Sequence, residues 1–262
     1  MTTATLLHSS HRRRAFRLLL LSEMRIAWRR PTGLVVAVGV PLALLIIFGS
    51  IPATTKPEAA LGGISFFELY VPTLLVFVLI AVGVGGLPQQ LTTYRAQGVL
   101  RRLSTTPVSP SWLLAAQMAV NVVLAVLALT LLLGVGVLGF GLSLPPTVPG
   151  KLLSLLSLTL TVAATLGLGL CTAALAASPQ IANAASGLLF YVLAFFSGLY
   201  VPLQSIHSTV IHDISRALPT GAGFSALHAS FLGHSPGAEP LLVMAGWAVA
   251  TSVAASRLFR WE

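Results

Sequence analysis

WLLAAQMAVNVVLAVLALTLLLGVGVLGF, Trp112 to Phe140, runs for 29 residues without an Asp, Glu, Lys or Arg. A helix of that length, rising 1.5 Å per residue, is longer than the ~30 Å hydrocarbon core of a bilayer. On either side lie five more apolar runs: Gly33 to Ile51, Phe66 to Leu91, Leu152 to Ala177, Asn183 to Val201 and Leu241 to Ser256. None has a charge in its middle, and only the last is slightly short. The pattern predicts an all-α membrane protein of six transmembrane helices, a single transmembrane domain over residues 1–262.

Composition agrees. Apolar residues make up 56% of the 262 positions and charged residues 8%. A soluble domain carries about 25% charged residues to coat its surface. Cys171, the single cysteine, lies inside an apolar run, which excludes a disulfide framework and a Cys-based zinc site. Arginine outnumbers lysine 13 to 2, a bias that with the Ala and Leu excess fits a GC-rich bacterial genome.

Punctuation marks several boundaries. Ser109-Pro110 supplies an N-cap and a first-turn proline before the third run, and Pro145-Pro146 with Pro149 breaks the chain after it. Pro41 and Pro72 fall inside the first and second runs, where kinks are expected. The region of about 30 residues before the first run is too long for the n-region of an ordinary signal peptide.

With six spans both termini share a side. That side receives twelve basic residues: Arg12, Arg13, Arg14, Arg17, Arg25, Arg29, Arg30, Arg95, Arg101, Arg102, Arg257 and Arg260. The other receives three, Lys56, Lys151 and Arg216. The positive-inside rule makes the termini cytoplasmic, and the net charge of +9 becomes a topology signal rather than a nucleic-acid footprint.

An elbow helix within residues 11–30 reads as lying on the membrane. Phe16, Leu20, Met24, Ala27 and Trp28 share one face, and Arg14, Ser22, Arg25 and Arg29 gather on another. The helix is either a basic anchor or an element that also touches a cytoplasmic partner.

Candidate chemistry is sparse. No ionisable residue stands at midplane to serve a proton- or sodium-coupled carrier. Gly150-Lys151 is followed by Leu152, so no phosphate-binding P-loop forms. Ser186-Gly187 with Asn183 suggests an intramembrane serine hydrolase, but no span holds a histidine to act as base, which leaves Ser186 and Gly187 as packing residues. His207, His212, His228 and His234 stand 5, 16 and 6 residues apart, a spacing without a helical ligand pair, and no metal site is assigned. Run four is dense in small residues that allow close helix approach. Phe190, Tyr191, Phe195 and Phe196 in run five are either an interfacial belt or the lining of an apolar substrate path.

The most specific segment is QQLTTYRAQGVLRRLSTTPVSP, residues 89–110, most of it in the cytoplasmic loop of 92–111. It resembles the loop of type-2 ABC transporter permeases, where Arg, Gly, Leu-Arg-Arg-Leu and Thr-Pro-Val-Ser precede the third helix. The likeness covers most of the chain: elbow, six spans, Ser-Gly-Leu-Tyr-Val-Pro at 197–202, and a long external connection ending in a Leu-Pro pair such as Leu218-Pro219. The wording is most similar to drug-resistance exporter permeases of actinobacteria, the daunorubicin type. At Gln97 it departs, since relatives often place an acidic residue there.

The resemblance implies a transport subunit in a bacterial cytoplasmic membrane, exporting an amphiphilic drug or lipid-like substrate. It further implies short re-entrant helices within 203–240, a second permease subunit as homo- or heterodimer partner, and a separate ABC ATPase subunit carrying ATP and magnesium. No cofactor is implied in this chain. Tyr94, Arg95, Gly98, Arg101, Arg102, Leu103, Thr106 and Pro107 become the elements that couple to the ATPase, with the elbow residues Arg14, Arg25, Trp28 and Arg29 beside them. A non-transporting membrane scaffold with the same topology is the alternative from another class.

The charge asymmetry yields a direct prediction. In a Cys171→Ala background, single cysteines replacing Thr5, Ser104 and Glu262 are protected from an impermeant thiol reagent in intact cells, and cysteines replacing Lys56 and Ser235 react. External labelling at position 104 reverses the orientation.

Overall fold

The computed structural model describes residues 16–27, 29, 32–58, 63–99, 110–202 and 206–258. Its helices are α1 (16–27), α2 (Thr32–Ser50), α3 (Pro52–Thr55), α4 (Phe66–Ile80), a π-helical segment (Ala81–Gly86), α5 (Leu87–Ala96), α6 (Pro110–Phe140), α7 (Val148–Leu175), α8 (Pro179–Phe196), α9 (Thr209–Ala217), α10 (Pro219–Phe231) and α11 (Glu239–Leu258). One short antiparallel pairing interrupts the all-helical expectation, with β1 (Pro57–Glu58) against β2 (Ile64–Ser65).

Five helices are long and apolar enough to cross a membrane: Phe66–Ala96, Trp112–Phe140, Val148–Leu175, Pro179–Phe196 and Glu239–Leu258. The remaining expected span forms α2, of which Ala37–Ser50 is a shorter apolar helix.

Capping sets the ends away from where hydropathy put them. Ser65 opens α4 with a reciprocal capping box: its Oγ accepts from the Glu68 amide at 3.2 Å and the Glu68 carboxylate accepts from the Ser65 amide at 3.4 Å. Thr147 Oγ1 accepts from the Gly150 amide at 3.1 Å and opens α7. Pro149, expected to break the chain after the third span, instead stands in the first turn of the fourth, where its missing N–H costs nothing. Ser178 Oγ accepts from the Ile181 amide at 3.2 Å and starts α8 before Asn183. At the other end of span two the helix continues to Ala96, so Tyr94 and Arg95 stand on helical backbone rather than in a loop beginning at 92.

Span two is the hub. Every residue from Val71 to Ile80 is buried, the mark of a helix enclosed by other helices rather than facing lipid. Pro41 and Pro72 both lie inside continuous helices. A change of register in span two falls at Ala81–Gly86, just ahead of Pro88. Proline has no N–H to give the carbonyl four residues back, and a π-turn absorbs that loss.

Against this hub lies α7, whose Ser154, Ser157, Thr161 and Thr165 are buried. Ser157, Thr161, Thr165 and Thr172 donate their hydroxyls to the carbonyls of Leu153, Ser157, Thr161 and Leu168, at 2.8, 2.7, 2.9 and 2.9 Å. Satisfied on their own helix, they present small flat surfaces to the neighbours. A Cβ on Gly83 would stand 2.6 Å from Thr165 Oγ1, and one on Gly169 would overlap the Gly83 carbonyl oxygen. The two backbones touch. Between α8 and α11, the short helix α10 is buried along most of its length, with Thr220 donating to the Leu193 carbonyl at 3.1 Å. Trp247 of α11 donates to the Ala217 carbonyl at 2.8 Å.

The contact predicts an asymmetric response to added methyl groups. Gly169→Ala lowers thermal stability in detergent by about 1–3 kcal/mol through overpacking. Gly187→Ala, where nothing lies within 4 Å, leaves it unchanged or slightly raised. Equal melting of the two variants contradicts the packing.

Candidate functional site

At the arginine-bearing end of the bundle three elements converge on one carboxylate. Residues 16, 19, 20, 23, 24 and 27 form the covered face of α1, and Arg17, Leu18, Arg25 and Ile26 are exposed. At the centre of that face is Glu23, 5% exposed. Its Oε2 accepts from Tyr94 Oη at 2.9 Å, from Gln90 Nε2 at 3.5 Å and from Gln117 Nε2. Gln90 Nε2 also donates to Tyr94 Oη at 3.1 Å, and Asn121 Nδ2 donates to the Gln117 backbone carbonyl at 2.8 Å. Apolar contacts surround the knot. Phe16 meets Trp112 edge-on with ring centres 6.0 Å apart, and Leu19 packs in a cluster with Leu91, Tyr94, Val99, Leu113 and Leu166.

The knot joins α1 to α5, which enters the basic loop, and to α6, which leaves it. Burial raises the Glu23 carboxyl above the ordinary carboxylate range, while the hydrogen bonds from Tyr94 and Gln117 pull the other way. Removing the acceptor strands the buried Gln117 amide, at about 1–3 kcal/mol.

Of the expected coupling residues, Tyr94 belongs to this knot. Arg95 reaches the carbonyl of Ala176, the C-cap of α7, where a cation satisfies an orphan acceptor and the helix dipole together. Gly98 has φ +68° and open space where a Cβ would stand, so it serves a left-handed turn rather than a close approach. The turn closes with the Gly98 amide on the Arg95 carbonyl at 3.0 Å. Arg101, Arg102, Leu103, Thr106 and Pro107 lie outside the described residues, as do Arg14 and Trp28 of the expected elbow. Arg25 and Arg29 are exposed.

The four aromatic residues of span five are held in separate ring contacts. Phe190 packs edge-on against Phe77 at 5.3 Å and against Tyr191 at 5.7 Å, and Tyr191 is 64% exposed. Phe195 and Phe196 pair with each other at 5.2 Å. A cavity of about 260 Å³ lies elsewhere, lined by Glu68, Leu144, His228 and Phe231 among others. Among the described residues no group of three or more His, Cys, Asp or Glu side chains comes together. His212 Nε2 lies 2.8 Å from the Ile206 carbonyl, and His228 stacks at a tilt on Phe224.

Sequence reasoning passed over Glu23, Gln90 and Gln117. Glu23 is one of six acidic residues in the chain and stands seven residues after Phe16, on the apolar face of an otherwise basic segment. A lone acid at that register, with a glutamine on each stem of the loop at Gln90 and Gln117, was the available signal.

Helices of spanning length, closed at one end by a polar knot beneath a basic loop, define a multi-pass membrane protein. The family model for the ABC-2 type transporter matches residues 14–232. The chain therefore belongs to the ABC-2 type transporter family, as a permease of an ABC transporter that has no ATPase site of its own. Membership implies an ABC ATPase partner. No curated protein matches the chain.

The buried carboxylate predicts a specific pH response. A carboxyl whose value is raised on folding stabilises the protein below the ordinary carboxylate range, and that contribution is lost as pH rises through the raised value. Lowering the pH from about 7 to about 5 therefore raises the melting temperature of the wild type relative to Glu23→Gln. A difference between the two that does not vary with pH contradicts the assignment.

Proposed function

We propose that this permease is the membrane subunit of an ATP-driven exporter. It carries an amphiphilic drug or lipid-like substrate outward across a bacterial cytoplasmic membrane, in the manner of the daunorubicin and multidrug-resistance permeases. Two such chains, as homo- or heterodimer, work with two ATPase subunits that hold ATP and magnesium. In this reading the chain has six spans, its twelve basic residues on one side keep both termini in the cytoplasm, α1 is the cytoplasmic elbow, and α9 and α10 are the short re-entrant helices. Substrate would pass beside Phe190, Tyr191, Phe195 and Phe196 at a face shared with the second subunit.

One observation carries the coupling part of this reading. The basic segment after Tyr94 leaves the bundle where α1, α5 and α6 are bound to each other through Glu23, so a push on the loop meets a fastened assembly. Arg101 and Arg102 would meet acidic groups of the ATPase in the geometry that guanidinium favours. Spans without midplane charge favour a cargo that enters from the bilayer over a highly charged solute.

Replacing Arg101 and Arg102 together with Gln leaves insertion intact, because ten inner basic residues remain, and weakens ATPase pull-down and drug efflux on the order of tenfold or more. The double Glu variant loses more, since like charges then oppose. Wild-type pull-down and efflux at matched membrane expression would reduce the loop to a topology signal and favour a scaffold role.

A further inference from the structure

The Glu23 knot has a geometry that simple packing does not require. One oxygen, Oε2, accepts from the last turns of α5 through Gln90 and Tyr94, and from the first turns of α6 through Gln117. These helices are the two stems of the basic loop, and all the donors belong to the stems while the acceptor belongs to α1. Gln117 is 1% exposed and held on the same face as Asn121, so it has no water to turn to. Hydrogen bonds form at donor–acceptor distances of about 2.7–3.2 Å, so Gln90, at 3.5 Å, restrains least, and a stem moving alone by about 1 Å breaks the Tyr94 or the Gln117 bond, whereas the three elements moving together break neither. Apolar contacts between Leu19, Leu91, Val99 and Leu113 allow sliding, because they are non-directional. Among the described residues, the directional restraint that joins α1 to both stems is Glu23.

We propose that Glu23 is a positioning residue for transport, a clasp that makes α1 and both stems of the basic loop move as one body. The proposal rests on the coupling reading above and names the side chain through which a displacement of the loop reaches the spans. Glu23 does not meet the ATPase in this account. Its loss separates ATP hydrolysis from movement of the spans without removing the partner.

The test uses the full chain with its ATPase partner in lipid nanodiscs, in a Cys171→Ala background. A reporter cysteine at Ser235 is labelled before and after trapping with ATP and vanadate. Wild type and Glu23→Gln, whose amide oxygen still accepts, change labelling rate by the same several-fold factor. Glu23→Ala keeps partner binding and ATP hydrolysis within about twofold and loses at least four-fifths of that change. Bridging Leu19→Cys to Val99→Cys with a short bis-maleimide in the Glu23→Ala chain restores it, including where unbridged Glu23→Ala is poorly folded. An undiminished change in Glu23→Ala, or a bridged chain that remains uncoupled, overturns the clasp. If the wild type binds no ATPase, the coupling reading itself fails. A spin label at Ser104 in the isolated chain then decides the clasp separately: greater mobility in Glu23→Ala than in Glu23→Gln supports it, and equal mobility overturns it.

Discussion

Inside a bilayer, apolar side chains gain nothing by leaving lipid for one another, so helices hold together through close backbone approach and satisfied polar groups. This constraint shapes the whole chain. Span four answers it with a hydroxyl-bearing face on which Ser157, Thr161 and Thr165 donate to their own helix. Gly83 and Gly169 then bring spans two and four to backbone contact, and Gly167 meets Thr251 of the last span. Span two can be buried along a whole stretch because its neighbours are thin where they touch it. The π-turn at Ala81–Gly86 sits at that same contact, since Gly83 lies within it.

The arginine-bearing end follows a different rule. Here polar groups are gathered rather than hidden, around a carboxylate that desolvation alone would make costly to charge. Three side-chain donors converge on one oxygen. Membership of the ABC-2 type transporter family implies an ABC ATPase partner, and under the proposed function this is the end on which that partner acts. The proposed route runs from the loop to its two stems, and from the stems through Glu23 to α1 and through Gly83 to span four.

Much of this was legible in the sequence for plain physical reasons. A bilayer excludes charge, so the middles of the runs were visible, and Trp112 to Phe140 forms a spanning helix as read. Helix ends are set by capping side chains instead: Thr147 and Ser178 open spans four and five, and Pro149, expected as part of a break, stands in the first turn. The loop from Tyr94 to Pro107 showed itself by composition, yet Tyr94 and Arg95 proved to face inward, toward Glu23 and Ala176. Nothing local in the sequence pairs residue 23 with 94 and 117. Amphipathic reading assigned the face to its apolar members and passed over the lone acid that stands at its centre.

The central claim is that movement across this permease is driven by ATP bound to another chain. Its most direct test is substrate uptake into inside-out proteoliposomes holding the purified permease with or without its ATPase subunit. Uptake should require both proteins, ATP and magnesium, and continue undiminished when ionophores collapse proton and sodium gradients. Uptake by the permease alone under an imposed pH gradient would contradict the account.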